Sequence, residues 1–283
     1  MMFYDLNKIN ISLVFHGITF DRYQPTVNKE LFIDIETVKH IILFLKDKGF
    51  KIVHCNDFQE INKLCSISFD DGYCGLTKFN DFSILENLPY TIFLNAYNIQ
   101  NFTPFIWDLY KEQYKKNYNF LSINIKEYSK INQNIIKIIK DQIIYNPLSE
   151  YDLRILNENP NIKIASHSYS HQVMLGSSLK FFVDEITKNF DFLKKFKKFD
   201  PNLFSLPCGL YNQKLNQKLQ EYFKYIYTID GGVAKKSNVV NRISLVNDSK
   251  INLINQIQNC LKTKYKLKKL FLNYKYNLFS KIN

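Results

Sequence analysis

The sequence predicts an α/β fold with parallel strands, and three observations carry that prediction. Short apolar runs alternate with stretches of helical periodicity along most of the chain. Chemistry-bearing residues (His16, the Asp70-Asp71 pair, His167, the Pro207-Cys208-Gly209 turn) stand where several of those runs end. Strand ends are where barrel-like α/β enzymes build their sites. Finally, no internal repeat and no disordered linker divides the chain.

Ile11 to Phe15 alternates as a first strand and stops at His16-Gly17. Thr37 to Lys48 carries Val38, Ile41, Ile42 and Leu45 at helical spacing, with Gly49 as the stop. Strands follow at Lys51 to His54 and Ser66 to Phe69, then an apolar stretch from Tyr90 to Asn95. Residues 107–145 mix Lys, Asn, Tyr and Ile and read as a helical insertion. Ser149 suits the cap of a helix from Glu150, with Leu153 and Leu156 facing the core. Lys163 to Ser166 is the strand before the His pair. Leu179 to Phe196 is a helix with Phe182, Ile186, Phe190 and Leu193 on one stripe. Pro201 opens the strand Leu203 to Leu206, and Tyr225 to Ile229 and Arg242 to Val246 are the last strands.

A chain of 283 residues is long enough for one large domain, which at this size buries about three quarters of its unfolded surface. The composition, 46% hydrophobic and 23% charged, is that of a soluble globular protein. The net charge of +12 comes mostly from lysines scattered along the chain, and arginine occurs only at 22, 154 and 242. With no arginine-rich run and no recognition motif, nucleic acid is not an expected partner. Cysteines at 55, 65, 74, 208 and 260 show neither CxxC pairing nor a secreted-scaffold rhythm, and read as free thiols in a reducing compartment. The start of the chain lacks a signal-peptide pattern and no apolar run reaches membrane-spanning length, so the expected location is cytoplasmic.

Two motifs carry the chemistry. Ser66-Ile67-Ser68-Phe69 runs into Asp70-Asp71-Gly72. Adjacent side chains on a continuing strand point to opposite faces. Both carboxylates therefore share a pocket only if the strand stops, and Gly72 permits that turn. His167 and His171 are spaced so that one helical turn would bring both imidazoles to one side. Two imidazoles and a carboxylate suit a divalent transition metal with positions left open. The other carboxylate is then free to act as a base. The outline is that of a metal-dependent hydrolase.

Taken in order, these motifs resemble the polysaccharide deacetylase family, the NodB-like carbohydrate esterases, from Ile11 to Val246. Ser68-Phe-Asp-Asp-Gly-Tyr73 is similar to the family's first motif, and Tyr90-Thr-Ile-Phe-Leu94 to the strand after it. His167-Ser-Tyr-Ser-His171 is similar to the metal-binding second motif, and Leu206-Pro-Cys-Gly209 to a degraded third. Val14-Phe-His-Gly17 and Asn241-Arg-Ile243 resemble members acting in surface-glycan pathways. The resemblance implies a distorted, incomplete (β/α) barrel over residues 1–260 that removes an N-acetyl or related N-acyl group from an amino sugar. Asp71, His167 and His171 would hold one divalent ion, zinc first, with cobalt, nickel or manganese as alternatives. Asp70 would be the general base, and the Cys208 backbone N–H would help bind the oxyanion. Tyr73 and Trp107 are further candidates for substrate contact.

The chain departs from the family pattern at several points. No histidine follows His171, so the late His that protonates the leaving amine is missing; His16 is the substitute, with a backbone cap as its other reading. Ser205 stands where the family commonly has the Arg that orients the catalytic carboxylate. Arg242 is the candidate replacement, with a surface salt bridge as its alternative. Cys208 stands where an aromatic is frequent, and ligation of the metal by its thiolate is the minor alternative. Trp107, the only tryptophan, is either a sugar-stacking face or core.

Residues 261–283 read as a basic amphipathic helix with Leu267, Leu270, Phe271, Tyr274 and Leu278 on one side. It either covers the barrel or docks on an anionic membrane, which would suit a lipid-linked glycan. The expected protein is a cytoplasmic metal-dependent N-deacylase of surface-glycan assembly, peripheral to the inner membrane face in the second case. Its alternative is a catalytically reduced relative that binds or scaffolds a glycan.

Overall fold

The computed structural model describes residues 9–21, 23–58, 63–116, 125–234, 237–247 and 253–260. The expected basic tail, 261–283, lies outside the described residues. The chain opens with β1 (Ile11–Phe15), β2 (Gly17–Thr19) and β3 (Phe32–Asp34), β2 and β3 forming a small parallel ribbon. Asp34 caps α1 (Ile35–Asp47), its carboxylate accepting from the N–H groups of Glu36 and Thr37. Next come β4 (Lys51–Val53), β5 (Leu64–Asp71), α2 (Leu76–Glu86), β6 (Tyr90–Leu94) and α3 (Ala96–Asn101). The insertion carries α4 (Ile106–Tyr114) and α5 (Gln133–Lys140). Ser149 and Asp152 form a capping box at the start of α6 (Glu150–Leu156). The remainder is β7 (Ile162–Ser166), α7 (Leu179–Leu193), β8 (Phe199–Ser205), α8 (Gln213–Gln220), β9 (Tyr225–Thr228), β10 (Val239–Asn241), β11 (Ile243–Ser244) and α9 (Leu253–Cys260). No helix among the described residues is long and apolar enough to cross a membrane.

The main sheet runs β10-β9-β8-β7-β6-β5-β1-β11, every pair parallel, with β4 lying beside the first part of β5. It is a nearly closed (β/α) barrel. Its two end strands, β10 and β11, are separated by a single residue, Arg242. The expected last strand, Arg242 to Val246, is therefore shortened to Ile243–Ser244, and a separate strand precedes it across Arg242. The Arg242 N–H donates to the Thr228 carbonyl, whereas Ile243 is already in register with Leu13 of β1. The backbone changes neighbours at Arg242 and carries the chain across the seam.

Parallel strands covered on both faces read as almost continuous apolar runs, and the parity along β5 sorts its two faces. Cys65, Ile67 and Phe69 join the main core between sheet and helices. Ser66, Ser68 and Asp70 face the barrel interior, where the Ser66 and Ser12 hydroxyls lie 2.6 Å apart. The interior also holds Phe93, Ala165, Leu203, Tyr227 and Val240. A polar row down the middle of an apolar barrel leads to the strand ends, where the site lies.

Candidate metal centre

Asp70 and Asp71 share a pocket through a tight turn in the backbone itself. The Gly72 N–H donates to the Asp70 carbonyl at 2.9 Å, enclosing Asp71, whose φ is 71°. A three-residue turn with positive φ at a non-glycine is strained, and the surroundings must hold it. Leu148 N–H donates to the Gly72 carbonyl at 2.8 Å, and Cys74 N–H to the Asn146 carbonyl at 2.9 Å. Gly72 has its own reason to be glycine: its φ is 96°, and a Cβ there would lie 2.6 Å from Leu94 Cδ2. The stop expected at Gly72 thus begins one residue earlier, at Asp71.

The His pair also meets differently from the expectation. Residues 167–171 form no helical turn. The loop bends through left-handed backbone at Ser168 (φ 63°) and His171 (φ 56°), and the two imidazole centroids lie 4.7 Å apart. Glu185 of α7 holds the loop from behind, accepting from the Ser170 N–H at 2.9 Å and its hydroxyl at 2.8 Å. His167 Nδ1 bonds the Ser205 carbonyl at 2.8 Å. A carbonyl only accepts, so Nδ1 carries the proton and the Nε2 lone pair points inward. The His167 and His171 Nε2 atoms lie 3.6 and 3.5 Å from Asp71 Oδ1. That oxygen is buried and accepts no hydrogen bond.

Asp70 is the opposite case. Arg242, fully buried, grips it with both arms: Nη1 to Oδ1 and Nη2 to Oδ2, each at 2.7 Å. Ser205 Oγ donates to Asp70 Oδ2 at 3.0 Å and accepts from Arg242 Nη2 at 2.6 Å. The Ser68 hydroxyl and the Thr228 carbonyl take the remaining guanidinium bonds, and the Phe93 and Tyr227 rings lie beside its plane. The guanidinium is therefore inside the barrel, and a surface salt bridge is not what it forms. Ser205 has a part the sequence did not reveal: it joins carboxylate and guanidinium.

The candidates for substrate contact fall elsewhere. Tyr73 is 1% exposed and Trp107 is 4% exposed. The Tyr73 hydroxyl accepts from Trp107 Nε1 at 2.7 Å and donates to Asp108 Oδ2 at 2.8 Å. Trp107 stacks on Phe105 and leans on the His171 ring at a centroid distance of 4.7 Å. The structure gives neither side chain an open face for a sugar, because the insertion folds both into the wall behind His171. Cys208 sits on the turn after β8 in left-handed backbone (φ 57°). His16, at the end of β1, has a buried Nδ1 with no hydrogen-bond partner.

The sequence profile described as "Polysaccharide deacetylase" matches residues 59–223, more than half of the chain. The chain belongs to the polysaccharide deacetylase family. Among solved structures it is similar to a polysaccharide deacetylase from Bacillus cereus, with TM-score 0.61 and 16% identity over 90% of this chain and 69% of that one. It is similar in the same way to the Streptococcus pyogenes deacetylase PplD, solved with acetate (TM-score 0.61, 15% identity, 88% and 98% covered). IcaB from Ammonifex degensii also matches (TM-score 0.58, 12% identity, 89% and 97% covered). These likenesses show the fold, the nearly closed (β/α) barrel. No curated protein matches the sequence.

In this family member the electrostatics divide as the hydrogen bonds do. Burial pushes the Asp70 carboxyl up, but the Arg242 guanidinium overrides it and holds it well below the usual carboxylate range. Burial, together with the charges of Asp70 and Asp108, raises Asp71 well above that range. Burial keeps His167 and His171 neutral by lowering both, and takes His16 down to about 4. Burial, then Asp71, pushes the Cys208 thiol up to about 12, so it is not a thiolate at neutral pH. Neutral imidazoles and an orphaned carboxylate oxygen are the donor set a divalent cation needs, and the ligand atoms of Asp71, His167 and His171 all lie within 4.8 Å of one another.

Proposed function

We propose that this chain is a metal-dependent N-deacylase that removes an acetyl or related acyl group from an amino sugar in a surface polysaccharide or lipid-linked glycan. The observation that carries the reading is the buried, unbonded Asp71 Oδ1 facing two imidazole Nε2 atoms beside a fully bonded Asp70. Asp71, His167 and His171 would hold the ion, with zinc the first expectation. A divalent cation there supplies Lewis acidity, which makes water a nucleophile near neutral pH and polarises an amide carbonyl. Asp70, kept ionised and aimed by Arg242 and Ser205, accepts the proton of the attacking water. A carboxylate held this acidic is always available but accepts reluctantly, so its ion pair with Arg242 has to loosen as the proton arrives. His16, neutral in the resting fold, relays the proton that Asp70 takes from water to the leaving amine, so that both groups end as they began, and the Cys208 backbone N–H is assigned to the oxyanion.

The deacylase unit is assigned to residues 1–260 in a cytoplasmic protein, with the basic segment 261–283 bringing it to the inner membrane face when the glycan is lipid-linked. Co-sedimentation of full-length and tail-deleted protein with anionic vesicles tests that placement. The reaction is tested by measuring bound metal, and free amine released from a panel of N-acyl sugars and sugar nucleotides, for wild type and Asp70→Asn. Metal in both with amine from the wild type alone supports the deacylase. Metal in both and no amine from any substrate leaves either a glycan outside the panel or the glycan-binding alternative.

A further inference from the structure

We propose that Asp108, Tyr73 and Trp107 form a positioning relay that sets the orientation of His171, making the insertion between β6 and β7 a working part of the metal centre. The inference rests on the metal reading of Asp71, His167 and His171.

The insertion looks peripheral, yet it sends Trp107 and Asp108, from the first turn of α4, to the site. Asp108 is 0% exposed and has no cationic partner among the described residues. Its carboxylate accepts from Asn28 Nδ2 at 2.7 Å and from the Tyr73 hydroxyl at 2.8 Å. Asn28 also donates to the Trp107 carbonyl at 3.3 Å, so one amide ties both residues of the pair. Tyr73, donating its hydroxyl hydrogen bond to Asp108, turns a lone pair to the Trp107 indole N–H. That bond fixes the plane of the indole, which is tilted 56° against the His171 ring. His167 is oriented by a bond on its other nitrogen. His171 instead packs against the tilted indole, and the relay holds that ring. A buried carboxylate without a cation is costly, and a site that needs one imidazole aimed is a reason to keep it.

Trp107 is the only tryptophan, so its emission reports the site directly. The test is titration of metal-free protein with Co(II), following tryptophan quenching and the visible Co(II) bands. Wild type is compared with Tyr73→Phe, which cuts the relay with little change in volume, and with Asp108→Asn. The expected result is quenching and a tetrahedral-type spectrum in wild type, and Co(II) binding about tenfold weaker with shifted bands in both variants. Metal-free melting temperatures identify a variant that has lost its fold, and Trp107→Phe provides a third variant read by the Co(II) bands alone. Wild-type affinity and spectrum in folded variants overturn the relay and leave the metal site standing. No Co(II) binding to wild type overturns the metal reading and the relay with it.

Discussion

Asp70 and Asp71 are neighbours in sequence and opposites in environment. Asp70 has both oxygens bonded, to Arg242 and Ser205, and is held far to the acidic side. Asp71 has a buried oxygen that accepts no hydrogen bond, faces two neutral imidazoles and is pushed toward protonation. The protein supplies the counter-charge to one carboxylate and withholds it from the other. A chain that only needed to fold would have no reason to strain its backbone at Asp71 to bring an uncompensated carboxylate there. The contrast teaches that the chain finishes one half of the site and leaves the other with an unbonded ligand oxygen, as the proposed metal binding requires.

The contrast breaks most completely at Asp71. Asp71→Asn should abolish metal binding and reduce amine release to background, while the metal-free protein gains stability because a buried acid is gone; metal analysis and calorimetry check both. Next is Arg242→Met, which strands Asp70 and should cost about 3–5 kcal/mol, as removal of one partner of a buried pair does. Adding Asp70→Asn to it should recover part of that loss in denaturant titration, because the stranded charge is removed. Ser205→Ala takes one contact from each partner and should cost about 1–3 kcal/mol, with metal content unchanged and turnover reduced.

His16 gives the smallest effect on stability at neutral pH. Its imidazole titrates near 4 in the fold and near 6.5 unfolded, so the unfolded chain binds the extra proton between those values. Its stabilising contribution is complete above pH 6.5 and is lost as pH falls through 4. His16→Gln should therefore narrow the fall in melting temperature over that window, keep its metal, and turn over much more slowly. Unchanged turnover would remove His16 from the proton path.

The finished half and the open half were not equally legible. The residue types of the open half can be read directly, since carboxylates and imidazoles at strand ends are few and chemically pointed. What hid was how they meet. Nothing in Asp70-Asp71-Gly72 says that the turn begins on Asp71, and the His167–His171 spacing suits a helix turn that the left-handed residues replace. The finished half was harder, because Ser68 and Ser205 lie on two strands and Arg242 at the seam between two others, and they become neighbours only when the barrel forms. The absence of the expected Arg at 205 drew attention to Arg242, one of only three arginines. Ser205 itself looked merely like a loss. Asp108 was invisible for a similar reason: its partners, Asn28 and Tyr73, come from distant parts of the chain.

The seam residue has a consequence for the order in which the protein becomes active. Leu13 lies beside Ile243, and Arg242, one step earlier, supplies the grip on Asp70. On a ribosome, the chain displays both aspartates and both histidines long before residue 242 is made. The proposed metal ligands are thus all in place in the nascent sequence while Asp70 is still without its guanidinium. On the proposed chemistry Asp70 is aimed as a base only when the last strands reach back to the first, so the barrel's closing stitch would also serve as the protein's starting signal.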